Sequence, residues 1–282
     1  MKKTLKTIAA LALALSVTAC SSGEPETADT GDAPEVLKIV ATANPHAEIL
    51  EFAKPILLEE YNVELDIIIT DNYYVPNKSV NDGDADANYF QHIPFFDGEK
   101  SENGYAIANA GGVHIEPFGI YSKDYTDPAD VPDGAEVIIS NSVADNGRVL
   151  AILASAGLVN LPADADVLSI TIADIDNADN NPKGLKFTEV NPELLTTVFE
   201  NGEGDLVAIN GNYAIQAGLN PVNDSLILEV ADENNPYVNI VACREGEEND
   251  PRIQALIDVL QGDAVRNFIR ENWSDGSVIP AE

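Results

Sequence analysis

The sequence predicts an α/β fold in which helices pack on largely parallel sheets. Three observations point there. Short apolar runs alternate with segments of helical periodicity along most of the chain. Asn, Asp, Pro and Gly punctuate those segments where helices should start and stop. Hydrophobic residues make up 45% of the 282 positions, enough chain for a buried core. That length admits one large domain or two lobes, and no internal repeat chooses between them.

The elements follow in order. Residues 36–41 (VLKIVA) read as the first strand. Asn44-Pro45 reads as a helix N-cap with proline at the first helical position. Ile49, Phe52, Ala53, Ile56 and Leu57 keep helical spacing, with a kink expected at Pro55. Residues 63–69 form the next strand, 77–82 a short helix and 85–88 a short strand. Residues 113–121 read as extended. A strand at 137–139 leads into a helix that ends near Ala156, stopped by Gly157. Short strands are expected at 168–172, 185–188, 206–209, 226–230 and 238–242, with helices among them. Asp250-Pro251 caps a helix carrying Ile253, Leu256, Ile257 and Leu260. A last helix carries Val265, Phe268 and Ile269.

The N-terminus is an address. Lys2, Lys3 and Lys6 precede an apolar run at 8–15, too short for the ~20 residues that span a bilayer. Residues 1–19 are therefore a signal peptide. Val17-Thr18-Ala19-Cys20 resembles the lipobox of bacterial lipoproteins, which implies lipidation of Cys20 and a membrane anchor. The competing reading is a soluble secreted chain with a coincidental cysteine. Cys243 is then left as a buried thiol. Removing residues 1–19 leaves 12 basic against 48 acidic residues, a balance of -36, and no methionine. Residues 20–35 form an acidic tether with no large apolar side chain. Its reach is about 20 Å if flexible.

A formal charge of -33 argues against nucleic acid and anionic lipid as partners. No phosphate-binding loop, nucleophile elbow, zinc-helix motif or dinucleotide fingerprint is present. The three histidines, His46, His92 and His114, stand far apart in sequence. Together they could hold a metal, but each alone reads as structural, so no metal ligand or cofactor is assigned. His46 reads as a residue of a helix-capping region. The acid-rich stretch at 174–179 lacks calcium-loop spacing and reads as a solvated loop.

Three segments carry more information. Arg148 is the only Lys or Arg between Asp124 and Pro182, amid eleven acids. It follows Ser142-Val143-Ala144-Asp145, a capping box in form, near a helix N-terminus where a cation is disfavoured. An anion to grip would explain it, and so would a salt bridge to a nearby acid. The run Tyr89-Phe90-Gln91-His92-Ile93-Pro94-Phe95-Phe96 fits either a core or a pocket wall. Ile209-Asn210-Gly211-Asn212-Tyr213 sits at a strand-to-helix junction. That is a turn and cap, or the strand end where α/β sheets bind ligands.

These segments, in this order, resemble the NlpA lipoprotein family, the methionine-binding lipoproteins of bacterial ABC importers. The matching stretches are residues 45–50 (PHAEIL), 75–77 (VPN), 82–92 (DGDADANYFQH), 114–122 (HIEPFGIYS), Gly147-Arg148, 155–158 (SAGL), 209–213 (INGNY) and 217–221 (AGLNP). The resemblance implies a two-lobed periplasmic-binding-protein fold of type II with two crossing hinge strands. Its crossings fall near 114–121 and 226–241. Lobe 1 would comprise residues 36–118 plus 226–282, and lobe 2 residues 119–225.

The resemblance further implies a monomeric, non-enzymatic, lipid-anchored extracytoplasmic protein. It would hold L-methionine in the interlobe cleft and deliver it to a permease with a cytoplasmic ATPase. Arg148 matches the arginine on the ligand carboxylate, and Asn210 and Asn212 match the asparagines at the amino-acid backbone. Tyr213 adjoins them. Phe90, His92 and Phe95 match the side wall, and either Tyr73 or Tyr74 matches a wall tyrosine. Phe95 stands where the family often has tyrosine, and Asp145 where it often has asparagine. Sulfur–aromatic contacts would favour a thioether. The alternatives are another apolar amino acid, a methionine-containing dipeptide or, in a different class, a metal-dependent surface hydrolase using the histidines.

Overall fold

The computed structural model describes residues 33–231 and 235–281. The expected signal peptide, Cys20 and residues 21–32 of the tether lie outside the described residues. Strands are β1 (Glu35–Ala41), β2 (Val63–Ile69), β3 (Ala87–His92), β4 (Ile107–Ile115), β5 (Gly119–Tyr121) and β6 (Glu136–Ser140). They continue with β7 (Lys186–Val190), β8 (Leu206–Ile209), β9 (Ile227–Leu228), β10 (Val238–Arg244) and β11 (Ile279–Pro280). Helices are α1 (Glu48–Tyr61), α2 (Pro76–Asp82), α3 (Ile93–Asn103), α4 (Val143–Ser155) and α5 (Leu195–Asn201). The rest are α6 (Gly211–Gln216), α7 (Pro221–Asp224), α8 (Pro251–Leu260) and α9 (Asp263–Asn272).

The strands form two sheets. One has the order β11-β4-β10-β3-β1-β2, the other β7-β6-β8-β5-β9. β1 pairs parallel with β2 and β3, while β10 runs antiparallel to β3 and β4. In the second sheet β6 pairs parallel with β7 and β8, and β5 runs antiparallel to β8 and β9. The chain passes from the first sheet to the second between β4 and β5, and returns between β9 and β10.

Each sheet has its own core. Leu37, Ile39 and Ala41 alternate to one face of β1, where Ile49, Leu50, Ala53 and Leu57 of α1 meet Leu256 of α8 and Ile269 of α9. Val149, Leu150, Ile152 and Leu153 of α4 cover Val137 and Ile139 of β6 in the second. Burying each such side chain fully is worth roughly 1.5–3 kcal/mol. A third cluster contains Tyr73, Phe90 and Phe95 from the side of the first sheet and Ile209 and Tyr213 from the second.

Several expectations shift. α1 runs unbroken through Pro55, which faces solvent, so the carbonyl it leaves unpaired is open to water. The strand expected at 85–88 is displaced, because Gly83 turns left-handed and Ala85 N–H bonds back to Ser79 O. β3 therefore runs through the aromatic segment to His92. The extended stretch at 113–121 divides into β4 and β5, with Pro117, which lacks a ladder donor, between them. No strand forms at 168–172. Thr171 and Asp174 instead close a reciprocal capping box on a short 3-10 turn, local bonding that competes with a ladder. Among the described residues no helix is long and apolar enough to cross a membrane.

Candidate functional site

A small pocket opens where the strand ends of the two sheets meet. β3 and α3 supply Phe90, Gln91, His92 and Phe95; the loop before α2 supplies Tyr73. The first crossing supplies Glu116, and β10 supplies Asn239. From the other side come Asp145 and Arg148 of α4 and Asn210, Gly211 and Asn212 at the β8–α6 junction. Seven of the nine sequence candidates thus share one pocket. The other two do not line it. Tyr74 is 39% exposed and its hydroxyl donates to Asn141 Oδ1 at 3.3 Å, so of the two tyrosines only Tyr73 lines this pocket. Tyr213 stands behind Tyr73, ring on ring at 4.9 Å, with its hydroxyl donating to the Asp71 carbonyl.

One wall is aromatic. Tyr73, Phe90 and Phe95 meet pairwise with centroids 5.7–5.9 Å apart, and Phe95 packs edge-on to His92. The opposite end is polar and buried. Asp145 accepts from His92 Nε2 at 3.1 Å and from Asn210 Nδ2 at 3.3 Å. The expected capping box therefore does not form. Ser142 makes no side-chain cap, and Asp145 is turned into the pocket. Burial would raise the Asp145 carboxyl, but the hydrogen bond and charge of His92, the Arg148 charge and the Asn210 amide hold it below the ordinary carboxylate range.

Arg148 is already paired. Its Nε and Nη2 donate to the two oxygens of Glu229 at 2.9 and 2.6 Å, and Nη2 also donates to Glu116 O at 2.7 Å. Its guanidinium lies 4.2 Å from the Tyr237 ring centroid. The sequence suggests a competing acid close to Arg148 in the chain. Glu229, 81 residues away, fills that role. The bidentate edge assigned to a ligand is thus taken, and only Nη1 is left without a protein partner among the described residues. Gly147 lets α4 approach the chain here, since a Cβ would sit 1.9 Å from Val167 O.

The candidate site residues read from sequence left out Gln91, Glu116, Asp145, Gly211 and Asn239, which also line the pocket. Glu116 stood in the quoted HIEP segment, but nothing local marks its carboxylate as buried. It accepts from His114 Nε2 at 2.8 Å and lies 3.5 Å from His46 Nε2. Gly211 belongs to the same contact, because a Cβ there would fall 2.8 Å from the Glu116 side chain. Burial raises the Glu116 carboxyl, opposed by the adjacent His46 imidazole, the Arg148 charge and the Asn212 backbone N–H. His46 is thus a buried core residue, not a capping one. His46, His114 and Glu116 bring ligating atoms within 4.8 Å of one another, whereas His92 belongs to Asp145. The three histidines therefore form no common site.

Burial holds His46 down at about 4 and His114 at about 3. Both fall below the usual 6.5, so the unfolded chain takes up protons first as pH drops. Stability should fall below pH 6.5, by roughly 3 kcal/mol for His46 alone by pH 4. The raised Glu116 opposes this in part. Urea melts at pH 7 and pH 4.5 check it, and equal midpoints would contradict it.

Two buried polar atoms in the pocket lack any partner: Asn210 Oδ1, an acceptor, and Asn212 Nδ2, a donor. Their orientations are set by their other ends. Asn210 Nδ2 donates to Asp145, and Asn212 Oδ1 accepts from the Tyr73 hydroxyl. Buried groups of this kind are normally satisfied, so among the described residues the pair leaves the pocket with one acceptor and one donor free for a bound group.

Comparison with known proteins agrees with this picture. The family described as NlpA lipoprotein matches residues 37–282. The methionine-binding lipoprotein MetQ of Bacillus subtilis is 44% identical over 97% of both chains. A nutrient binding protein from Burkholderia cenocepacia, solved bound to methionine, superposes with a TM-score of 0.80 at 31% identity. That match covers 87% of this chain and all of that one. An ABC transporter periplasmic substrate-binding protein from Coxiella burnetii gives 0.79 at 35% identity, with coverage of 87% and 100%.

Proposed function

The chain belongs to the NlpA lipoprotein family, and from that premise we propose that it captures L-methionine in this pocket and delivers it to an ABC importer. It is a substrate-binding protein, not an enzyme. The observation that carries the ligand reading is the unpartnered pair Asn210 Oδ1 and Asn212 Nδ2 between an aromatic wall and buried charge. A zwitterion with an apolar tail matches that layout. Its carboxylate takes Asn212 Nδ2 and Arg148 Nη1. Its ammonium takes Asn210 Oδ1 and Glu116. Its thioether lies against Tyr73, Phe90 and Phe95, where each sulfur–aromatic contact adds ~0.3–1.5 kcal/mol. Released ligand in a mass spectrum of denatured purified protein tests this. Methionine is the expected mass, and a dipeptide or another amino acid replaces the assignment.

Two lobes, residues 36–118 plus 226–282 and residues 119–225, are supported by the two sheets and by the chain passing between them twice, except that β9 (Ile227–Leu228) pairs into the second sheet and so moves the return boundary past residue 228. The protein acts as a monomer outside the cytoplasm, tethered by lipid on Cys20, and hands its ligand to a permease driven by a cytoplasmic ATPase. Cys20→Ala should move it out of the membrane fraction with an unchanged melting temperature, because the tether carries no core residue. Unaltered detergent partitioning would contradict the anchor.

A further inference from the structure

Resting on the reading of the pocket as an amino-acid site, we propose that His46 and His114 are positioning residues that fix Glu116 as the acceptor for the ligand's ammonium. Both imidazoles are buried, 1% and 0% exposed, directly behind Glu116. Their ring nitrogens are all engaged. Tyr89 hydroxyl meets His114 Nδ1, and Thr42 Oγ1 lies 2.7 Å from His46 Nδ1. His46 Nε2 lies 3.1 Å from Asn239 Oδ1, which can only accept, so that nitrogen carries the proton. His114 Nε2 faces a carboxylate oxygen and donates likewise, with Nδ1 accepting from Tyr89. The two rings meet edge to face at 4.9 Å, and each packs on Tyr89.

The frame is rigid. Thr42 follows β1, Tyr89 lies on β3, His114 on β4 and Asn239 on β10, so four strands of one sheet hold the network. Gly211 leaves the space beside Glu116 open, since a Cβ there would fall 2.8 Å from the Glu116 side chain. The consequence is electrostatic. Glu229 has a guanidinium on both its oxygens, whereas Glu116 receives a hydrogen bond from a neutral imidazole. Burial keeps both histidines uncharged at neutral pH. Within Glu116, Arg148 donates only to the backbone carbonyl. Glu116 is thus oriented without a bound cation, and a ligand ammonium supplies one.

The test compares L-methionine with 4-(methylsulfanyl)butanoate, the same molecule without its amino group, by calorimetry on wild type, Tyr89→Phe and His114→Gln. Tyr89→Phe keeps the ring packing and removes only the hydroxyl. Methionine affinity should fall by about tenfold in His114→Gln, the size of one hydrogen bond to a charged group, and by less in Tyr89→Phe. Affinity for the des-amino analogue should stay unchanged in both. Equal losses for the two ligands, or no loss for either, would overturn the positioning role and leave the methionine reading intact. Wild type that ignores methionine would sink that reading itself. Tight zinc binding by wild type that disappears in His114→Gln would replace positioning with a metal site.

Discussion

Arg148→Ala should weaken methionine binding and destabilise the unliganded protein, and the two losses should be separable. The ligand loses a charge-assisted contact at Nη1, worth roughly 1.5–3 kcal/mol, or about tenfold to a hundredfold in affinity. The fold loses a buried bidentate pair. Glu229, with its side chain only 10% exposed, is left without its cation. Orphaning one member of a buried ion pair costs ~3–5 kcal/mol. The double variant Arg148→Ala with Glu229→Ala removes the orphan as well as the clamp. Its melting temperature should recover while its methionine affinity stays low. Recovery of both would make Arg148 a purely structural cation that ties together the two crossings, through Glu116 O and Glu229.

Glu116→Gln should act in opposite directions on stability and binding. The side chain keeps its size and can still accept from His114 Nε2. Its charge disappears. Because burial raises the folded-state carboxyl, its ionised form costs stability at neutral pH, and the neutral amide should melt higher. Methionine should bind at least about tenfold more weakly, since a hydrogen bond between charged partners becomes one with a neutral acceptor. A calorimetric titration beside a thermal melt reads both. Lower stability with undiminished affinity would show that Glu116 serves the core and not the ligand.

Much of this architecture was legible from local pattern. β2 and β8 appear at 63–69 and 206–209, as their apolar runs indicated. Asp250 caps α8 through Arg252 N–H, and Gly157 takes its left-handed turn after α4. What stayed hidden depends on partners distant in sequence. Residues 168–172 look like a strand, but the Thr171–Asp174 box satisfies the backbone locally. Arg148 was visibly anomalous, yet its partner Glu229 lies across the return crossing. Asp145 had the form of a capping residue, and only the meeting of β3, α4 and β8 turns it toward His92 and Asn210. His46 and Glu116 gave no local sign that they would meet. The choice between Tyr73 and Tyr74 likewise needed tertiary contact, because adjacent residues in a loop diverge.

The central claim is that the pocket selects a zwitterion with a thioether tail. Isothermal titration of ligand-stripped protein with L-methionine, leucine and glutamate tests it most directly. L-methionine should bind tightest, leucine more weakly for want of the sulfur contacts with Tyr73, Phe90 and Phe95, and glutamate weakest, because its extra carboxylate would be buried against that aromatic wall without a cation to pair with. Protein that ignores methionine while binding another amino acid would contradict the account.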